Sequence, residues 1–291
     1  MEKSPFKIRE NTVYGYQTDL EFSMLFNCPI CSAPLAQNAA GAAVCERGHS
    51  FDRSREGYYN LLQKGGRIHG DNKEMVLARR DFLATGAYFP LADRISRIIE
   101  ERVFLGARIL DAGCGEGYYT DVIERRVRGV GARVFGFDIS KDAVKLAAKK
   151  NKNLTLAVAG SYHIPAPDAS CDVVLSVFAP LAREEFLRVL RTGGYFVMVI
   201  PAEEHLFELK CAIYDTPYKN TVLDSALLGF SLEKYERVSF NIPLDSREKI
   251  SSLFMMTPYA YRTKPEARER VFALERLDVS AEFIIFVYKK N

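Results

Sequence analysis

The sequence predicts an α/β protein: a Rossmann-like, doubly wound parallel sheet preceded by a small N-terminal metal-binding module. Three observations lead there. From about residue 107 onward, strand-like apolar runs alternate with helix-like ones, the pattern of a parallel sheet covered on both faces. One of those runs opens into a glycine-rich stretch, Ile109 to Thr120, reading ILDAGCGEGYYT. Well ahead of it lies a compact cluster of cysteine and histidine.

The bulk numbers bound the possibilities. At 291 residues, with 48% hydrophobic and 26% charged residues, the chain suits one large or two modest domains with a buried core. A net charge of +3 is too mild to argue for nucleic acid by itself. No stretch is long and apolar enough to span a membrane, and the N-terminal residues lack a signal-peptide core, so no membrane partner and a cytoplasmic setting are expected. Six cysteines, three of them at metal spacing and three scattered, fit a reducing compartment better than a disulfide framework.

Taken in order, residues 1–26 form an N-terminal extension without a clear motif. Cys28, Cys31, Cys45 and His49 then give C-x2-C-x13-C-x3-H, two knuckles presenting four soft or borderline ligands. That count and spacing suit a tetrahedral zinc site, and a filled four-ligand shell has no open position for substrate, so the zinc is expected to be structural. Pro29, Pro34 and Gly48 supply the bends, and metal binding would supply folding energy to a module too small for its own core. The expected layout is an extension at 1–26, a zinc-binding module at 27–60, a linker and helical segment at 61–106, and the α/β domain at 107–291.

Between module and domain, Phe51, Tyr58 and Tyr59 are interleaved with Arg53, Arg55, Lys64, Arg67, Arg79 and Arg80, and Gly65, Gly66 and Gly70 punctuate the stretch. Rings alternating with cations can hold single-stranded RNA. Asp52, Glu56, Asp71 and Glu74 offset much of that charge, so an ordinary polar linker is an equal reading. Helical periodicity follows at 75–83 and 91–103.

In the glycine loop, Asp111, Gly113, Gly115 and Gly117 fall at every second position. The glycines permit tight turns and let a ligand approach the main chain, and the order strand, turn, helix places the loop where open α/β sheets bind ligands. A dinucleotide site wants G-x-G-x-x-G and a pyrophosphate on the helix start. Here the third glycine comes one residue early, and Asp111 and Glu116 would repel a pyrophosphate while suiting a ligand with an ammonium and a sulfonium. Asp138 closes the next strand, at the position that binds ribose hydroxyls in nucleoside-binding folds.

Strands are predicted near 107–112, 132–138, 154–159, 172–178, 194–200, 235–242 and 282–288, the last two as a hairpin-like edge. Helices are predicted near 118–128, 141–150, 182–191, 203–213, 247–256 and 266–275. Lys145, Lys149, Lys150 and Lys152 read as a solvated helix face. The loop pattern and second-strand acid resemble motifs I and II of the class I methyltransferases, which bind S-adenosylmethionine. Strand four ends in Ser176-Val177-Phe178-Ala179-Pro180, without the N/D-P-P-Y of amino-methyltransferases or a proline-cysteine nucleophile.

The succession CPIC, CERGH, EGYYNLL, ARRDFL, LDAGCGEGYYT, FAP, HLFELK and MTPYAYR resembles, from about Cys28 to the C-terminus, the bacterial 23S rRNA guanine-N(1)-methyltransferases, macrolide-resistance relatives included. The resemblance implies a class I methyltransferase that uses S-adenosylmethionine, a zinc module that helps recognise a 23S rRNA hairpin, and a homodimer that clamps the RNA. It implies cofactor contacts from Tyr88, Gly115, Glu116 and His205, beside Asp111, Gly113, Gly117 and Asp138. Phe178 stands where the family shows tyrosine, MTPYAYR where it shows MTPFAWR, and the chain has no tryptophan. Phe178 is expected to stack on the acceptor base, Glu116 and His205 are candidates for its proton, and no catalytic residue is named. Two rivals are a class I methyltransferase acting on a small molecule and a zinc-dependent RNA-binding protein with a vestigial cofactor pocket. The glycine spacing disfavours a third, a nicotinamide dehydrogenase.

Overall fold

The computed structural model describes residues 23–62, 70–222 and 225–291. Residues 1–22 of the expected extension, and Lys64, Gly65, Gly66 and Arg67 of the basic and aromatic stretch, lie outside the described residues.

The N-terminal module is a four-stranded antiparallel sheet of β1 (Ser23–Asn27), β2 (Pro34–Gln37), β3 (Ala43–Val44) and β4 (Ser50–Phe51), in that order. Its strands are short because each knuckle turns the chain between them. It does have an apolar core, shared with the larger domain: Leu25, Phe26, Leu35 and Ala43 bury themselves together with Phe135, Phe137 and Ile164. Phe26 meets Phe135 edge-on at 6.3 Å, and the Asn27 N–H donates to the Pro165 carbonyl at 2.7 Å. The metal therefore need not supply all the folding energy of this module.

The strand β5 (Tyr58–Asn60), which sequence grouping leaves in the zinc module, joins the larger sheet, pairing parallel with Leu156, Ala157 and Val158. Three residues are too few for a period to announce them. Two helices follow, α1 (Lys73–Ala84) and α2 (Phe89–Glu100). Asn72 caps α1 by accepting the Met75 N–H at 2.8 Å, and α2 buries Leu91, Ile95, Ile98 and Ile99 on one face.

The doubly wound part runs β6 (Arg108–Ala112), α3 (Tyr118–Val127), β7 (Arg133–Asp138), α4 (Lys141–Lys150), β8 (Thr155–Val158), β9 (Cys171–Val177), α5 (Arg183–Val189) and β10 (Leu190–Pro201). It continues through α6 (Phe207–Ile213), β11 (Phe230–Leu244), α7 (Arg247–Met255), α8 (Pro265–Ala273) and β12 (Leu277–Lys290). The sheet order is β11-β12-β10-β9-β6-β7-β8-β5, with β12 antiparallel to both its neighbours and β11 at the edge. The expected hairpin-like edge is present, with a helical insertion between its strands. Ala112, Asp138, Val177 and Pro201 all end their strands on the same carboxyl edge, which is where such sheets collect ligands.

The lysines of α4 do more than face solvent. Lys145 pairs with Glu56 at 3.3 Å, and Lys152 donates to the Glu56 carbonyl at 2.7 Å, tying α4 and its exit to the turn before β5. No described helix is long and apolar enough to cross a membrane.

Candidate zinc and cofactor sites

The first knuckle turns between β1 and β2, and the second between β3 and β4. Ser32, a non-glycine with φ of 60°, follows Cys31, while Gly48 takes φ of 82° between Cys45 and His49. Those turns bring one ligand atom from each of Cys28, Cys31, Cys45 and His49 within 4.8 Å of all the others. The edges shown are Cys31 Sγ to Cys45 Sγ at 3.7 Å, Cys28 Sγ to His49 Nδ1 at 3.5 Å, and Cys45 Sγ to His49 Nδ1 at 3.4 Å. A tetrahedron with metal–sulfur bonds of about 2.3 Å has edges of about 3.8 Å, whereas a disulfide would need about 2.05 Å. The donor set and its size fit zinc.

The glycine loop joins β6 to α3. Gly113 has φ of 84°, and a Cβ there would lie 2.6 Å from the Ala179 Cβ, so only glycine lets the loop pass the end of β9. Gly117, at φ of 79°, is held as closely against the Ala147 Cβ of α4. Asp138 binds the loop from the neighbouring strand: its Oδ2 accepts the Gly115 N–H at 3.0 Å and its Oδ1 the Ser140 N–H at 2.8 Å. Asp111 is buried and accepts the Thr120 hydroxyl at 2.6 Å.

Three carboxylates thus converge. Burial pushes Asp111 up to about 7, reinforced by Asp138 and Glu116 and opposed by the Thr120 hydrogen bond. Burial also raises Glu116 and Asp138, against the pull of Arg79 on both. Arg79, on α1, donates to Asp71 and to the Met256 carbonyl; burial works against its charge, yet Asp71, Glu116 and Asp138 hold its pKa above the ordinary value. A cluster with more buried acid than base gains from a cationic ligand. The Tyr119 hydroxyl, buried and without a hydrogen-bond partner among the described residues, is a further polar atom suited to a ligand. Together these features fit S-adenosylmethionine, which carries an ammonium, a sulfonium, a carboxylate and a ribose.

An aromatic cluster adjoins the loop. Phe283 of β12 lies 5.4 Å from Tyr88, 5.4 Å from Phe178, 5.9 Å from Phe240 and 4.6 Å from the His205 ring. Tyr119 meets Phe178 edge-on at 6.2 Å, so the cluster runs continuously from the glycine loop outward. Tyr88 is buried at the start of α2, and burial raises its phenol well above the ordinary value. Phe178 is the opening of the cluster: it is 44% exposed and held at φ of 56° by its N–H bond to the Val199 carbonyl. A non-glycine there stores about 1 kcal/mol or more of backbone strain, a recurrent property of functional positions.

His205 precedes α6 rather than starting it. The predicted helix start at 203 is displaced because Leu206 adopts φ of 52° and donates its N–H to the Ser280 carbonyl. His205 Nδ1 accepts the Glu282 N–H at 3.2 Å, and burial, with Lys210 nearby, lowers its pKa to about 3. The neutral ring then has its proton on Nε2, so His205 offers a hydrogen-bond donor there, and burial works against its use as a proton acceptor. Lys210 is fully buried and pairs with no carboxylate among the described residues; it donates to the Tyr218 carbonyl and to Asn220 Oδ1.

Every predicted residue of the cofactor set lies at or beside this carboxyl edge, with Tyr88 and His205 joined to the loop through Phe283 and Phe178. Of the basic and aromatic stretch, Arg79 turns inward and Arg80 pairs with Asp81, whereas Arg53 donates to the Gly57 carbonyl. Phe283, Tyr119 and the inward role of Arg79 escape sequence reading. An apolar residue in a strand reads as core, and one arginine in a basic run looks like any other.

Residues 110–198 match the family model described as "Methyltransferase domain", and residues 26–63 match the zinc-ribbon model described as "RlmA, N-terminal". Over 281 residues the chain is 32% identical to a Bacillus subtilis (strain 168) protein named "Putative 23S rRNA (guanine-N(1)-)-methyltransferase YxjB", covering 93% of this chain and 99% of that relative. A Micromonospora griseorubida protein bearing the same designation without the final symbol is 34% identical over 90% of this chain and 96% of its own length. The Streptomyces fradiae "23S rRNA (guanine(748)-N(1))-methyltransferase" is 36% identical over 64% of this chain and 66% of its own.

Proposed function

The chain belongs to the family of 23S rRNA (guanine-N(1)-)-methyltransferases, and from that membership we propose that it methylates N(1) of a guanine in a hairpin loop of 23S rRNA. The observation that carries this reading is one chain holding both a Cys3His cluster, within the stretch matched by the zinc-ribbon model, and an acid-lined glycine loop, within the stretch matched by the methyltransferase-domain model. A small-molecule methyltransferase has no evident use for the knuckle.

S-adenosylmethionine supplies a methyl group bound to a sulfonium. The chain's own residues prepare its transfer. Asp111, Glu116 and Asp138 favour the cation and the ribose, Gly113, Gly115 and Gly117 let the ligand approach the main chain, and Tyr88 and His205 bound the pocket on the side of the aromatic cluster. A guanine unstacked from its hairpin would lie against Phe178 with its N(1) edge turned toward the glycine loop; transfer would leave the neutral thioether and release the N(1) proton to solvent. The zinc held by Cys28, Cys31, Cys45 and His49 fixes the ribbon that reads the RNA. The active protein is a homodimer in the cytoplasm.

Reverse transcription tests the assignment, because a methyl on N(1) occupies the Watson–Crick edge and arrests copying. Treated 23S rRNA should show one new stop in a hairpin; stops at no site, alongside methyl transfer to a small acceptor, would overturn it. Phe178→Ala is expected to lower kcat/KM for RNA by about tenfold to a hundredfold, the range of one lost base–ring stack. Its dissociation constant for S-adenosylmethionine should change less than about twofold, and Phe178→Tyr should retain activity.

A pH dependence follows from Asp111. Its folded pKa of about 7 lies above that of an unfolded aspartate, so its contribution to stability in the ligand-free protein is full at low pH and is lost as pH rises through about 7. A bound cation favours the carboxylate and expels that proton. Binding of S-adenosylmethionine should therefore tighten between about pH 6 and pH 7.5, with net proton release. Calorimetry in buffers of different ionisation enthalpy measures both; proton uptake would contradict the charge assignment.

A further inference from the structure

The acids of the glycine loop suit the two cationic centres of S-adenosylmethionine but would repel its one anionic group, the α-carboxylate. Something must take that carboxylate. Among the described residues, the charges of Arg79 and Lys150 reach Glu116 most strongly. Lys150 lies over the Tyr118 ring at 5.1 Å and beside Asp121 at 3.8 Å, so it is committed to the flank of α3. Arg79 alone of the two also acts on Asp138. It comes from α1, whose preceding loop packs on the second acid's own turn: a Cβ on Gly70 would lie 2.9 Å from Ile139, and Ser140 donates to the Asp71 carbonyl at 3.3 Å.

We propose that Arg79 binds the α-carboxylate of S-adenosylmethionine. In the structure its guanidinium already grips a carboxylate, that of Asp71, through Nη1, while Nη2 reaches only the Met256 carbonyl at 3.4 Å. A guanidinium has five N–H donors in a planar fork, enough to receive a second carboxylate while keeping Asp71. Asp71 thereby orients the fork, and Tyr119, with its unpartnered hydroxyl close enough for Arg79 to act on it, lies on the same side of the loop. The assignment explains why a strongly held arginine sits among acids that otherwise await a cation. It rests on S-adenosylmethionine as the cofactor and is indifferent to the acceptor.

The test compares two ligands on the zinc-loaded, full-length protein by calorimetry: S-adenosylmethionine and its decarboxylated analogue, which keeps the sulfonium and the amine. Wild type should prefer the carboxylated ligand by about tenfold to a hundredfold, the worth of a hydrogen-bonded charge pair. In Arg79→Gln that preference should fall to within about threefold, through weaker binding of S-adenosylmethionine alone. Arg79→Lys, which keeps the charge and loses the fork, should fall between them and carries the test if the glutamine variant does not fold. No preference in wild type, a preference that survives the substitutions, or equal weakening of both ligands would overturn the assignment. Any of those results would leave the rRNA reading standing.

Discussion

Replacing Cys31 and Cys45 by serine is expected to reduce bound zinc from about one ion per chain to near none and to abolish methylation of 23S rRNA. The two sulfurs are 3.7 Å apart, one edge of the tetrahedron, and each belongs to a different knuckle. Without the ion, the turn after β1 and the turn after β3 are held together, among the described residues, mainly by short strands of two to five residues and the small apolar cluster beneath them. The ribbon should then loosen around Leu25, Phe26 and Leu35 and expose the patch it shares with Phe135 and Phe137. Cofactor binding should suffer by less than about tenfold, because α3, which follows the glycine loop, packs in the other core cluster, and the loop's N–H groups donate to Asp138 and to the Phe137 carbonyl rather than to the ribbon. Metal analysis, calorimetry and methyl transfer on one preparation separate these effects. Intact RNA methylation by the zinc-free protein would show the ribbon to be dispensable.

The second large effect is expected at Asp138. Its two oxygens hold Gly115 and Ser140, so it fixes both the glycine loop and the start of α4, and it is the acid proposed to meet the ribose hydroxyls. Asp138→Ala removes the proposed ligand contact and leaves two N–H groups without their acceptor. Loss of a buried charged partner of this kind costs about 1.5–3 kcal/mol per contact, so affinity for S-adenosylmethionine should fall by more than about a hundredfold. Zinc content should be unchanged. Affinity within threefold of wild type would remove Asp138 from the cofactor site.

Much of this was legible in the residues because local rules and the global fold agree. The glycine loop declares itself, since Gly113 and Gly117 occupy positions where a Cβ would strike Ala179 or Ala147. The knuckles declare themselves by ligand spacing, and the alternation of periods places the strands to within a few residues. What stayed hidden is tertiary. β5 is three residues whose pairing partner lies nearly a hundred positions away. The shared core of ribbon and sheet follows from packing, which no motif encodes. His205 looked like a helix start because Leu206 gives no sign of its left-handed backbone, which depends on the Ser280 carbonyl. Its lowered basicity likewise comes from burial beside Phe283, which is 78 positions away, and from Lys210, whose inward turn five positions on depends on the Tyr218 carbonyl and Asn220.

The central claim is tested most directly by incubating the protein with isotopically labelled S-adenosylmethionine and unmodified 23S rRNA, then identifying the labelled nucleoside by mass spectrometry. The account predicts 1-methylguanosine from a single hairpin. Label on another base or another atom, or none in RNA while the cofactor binds, would contradict it.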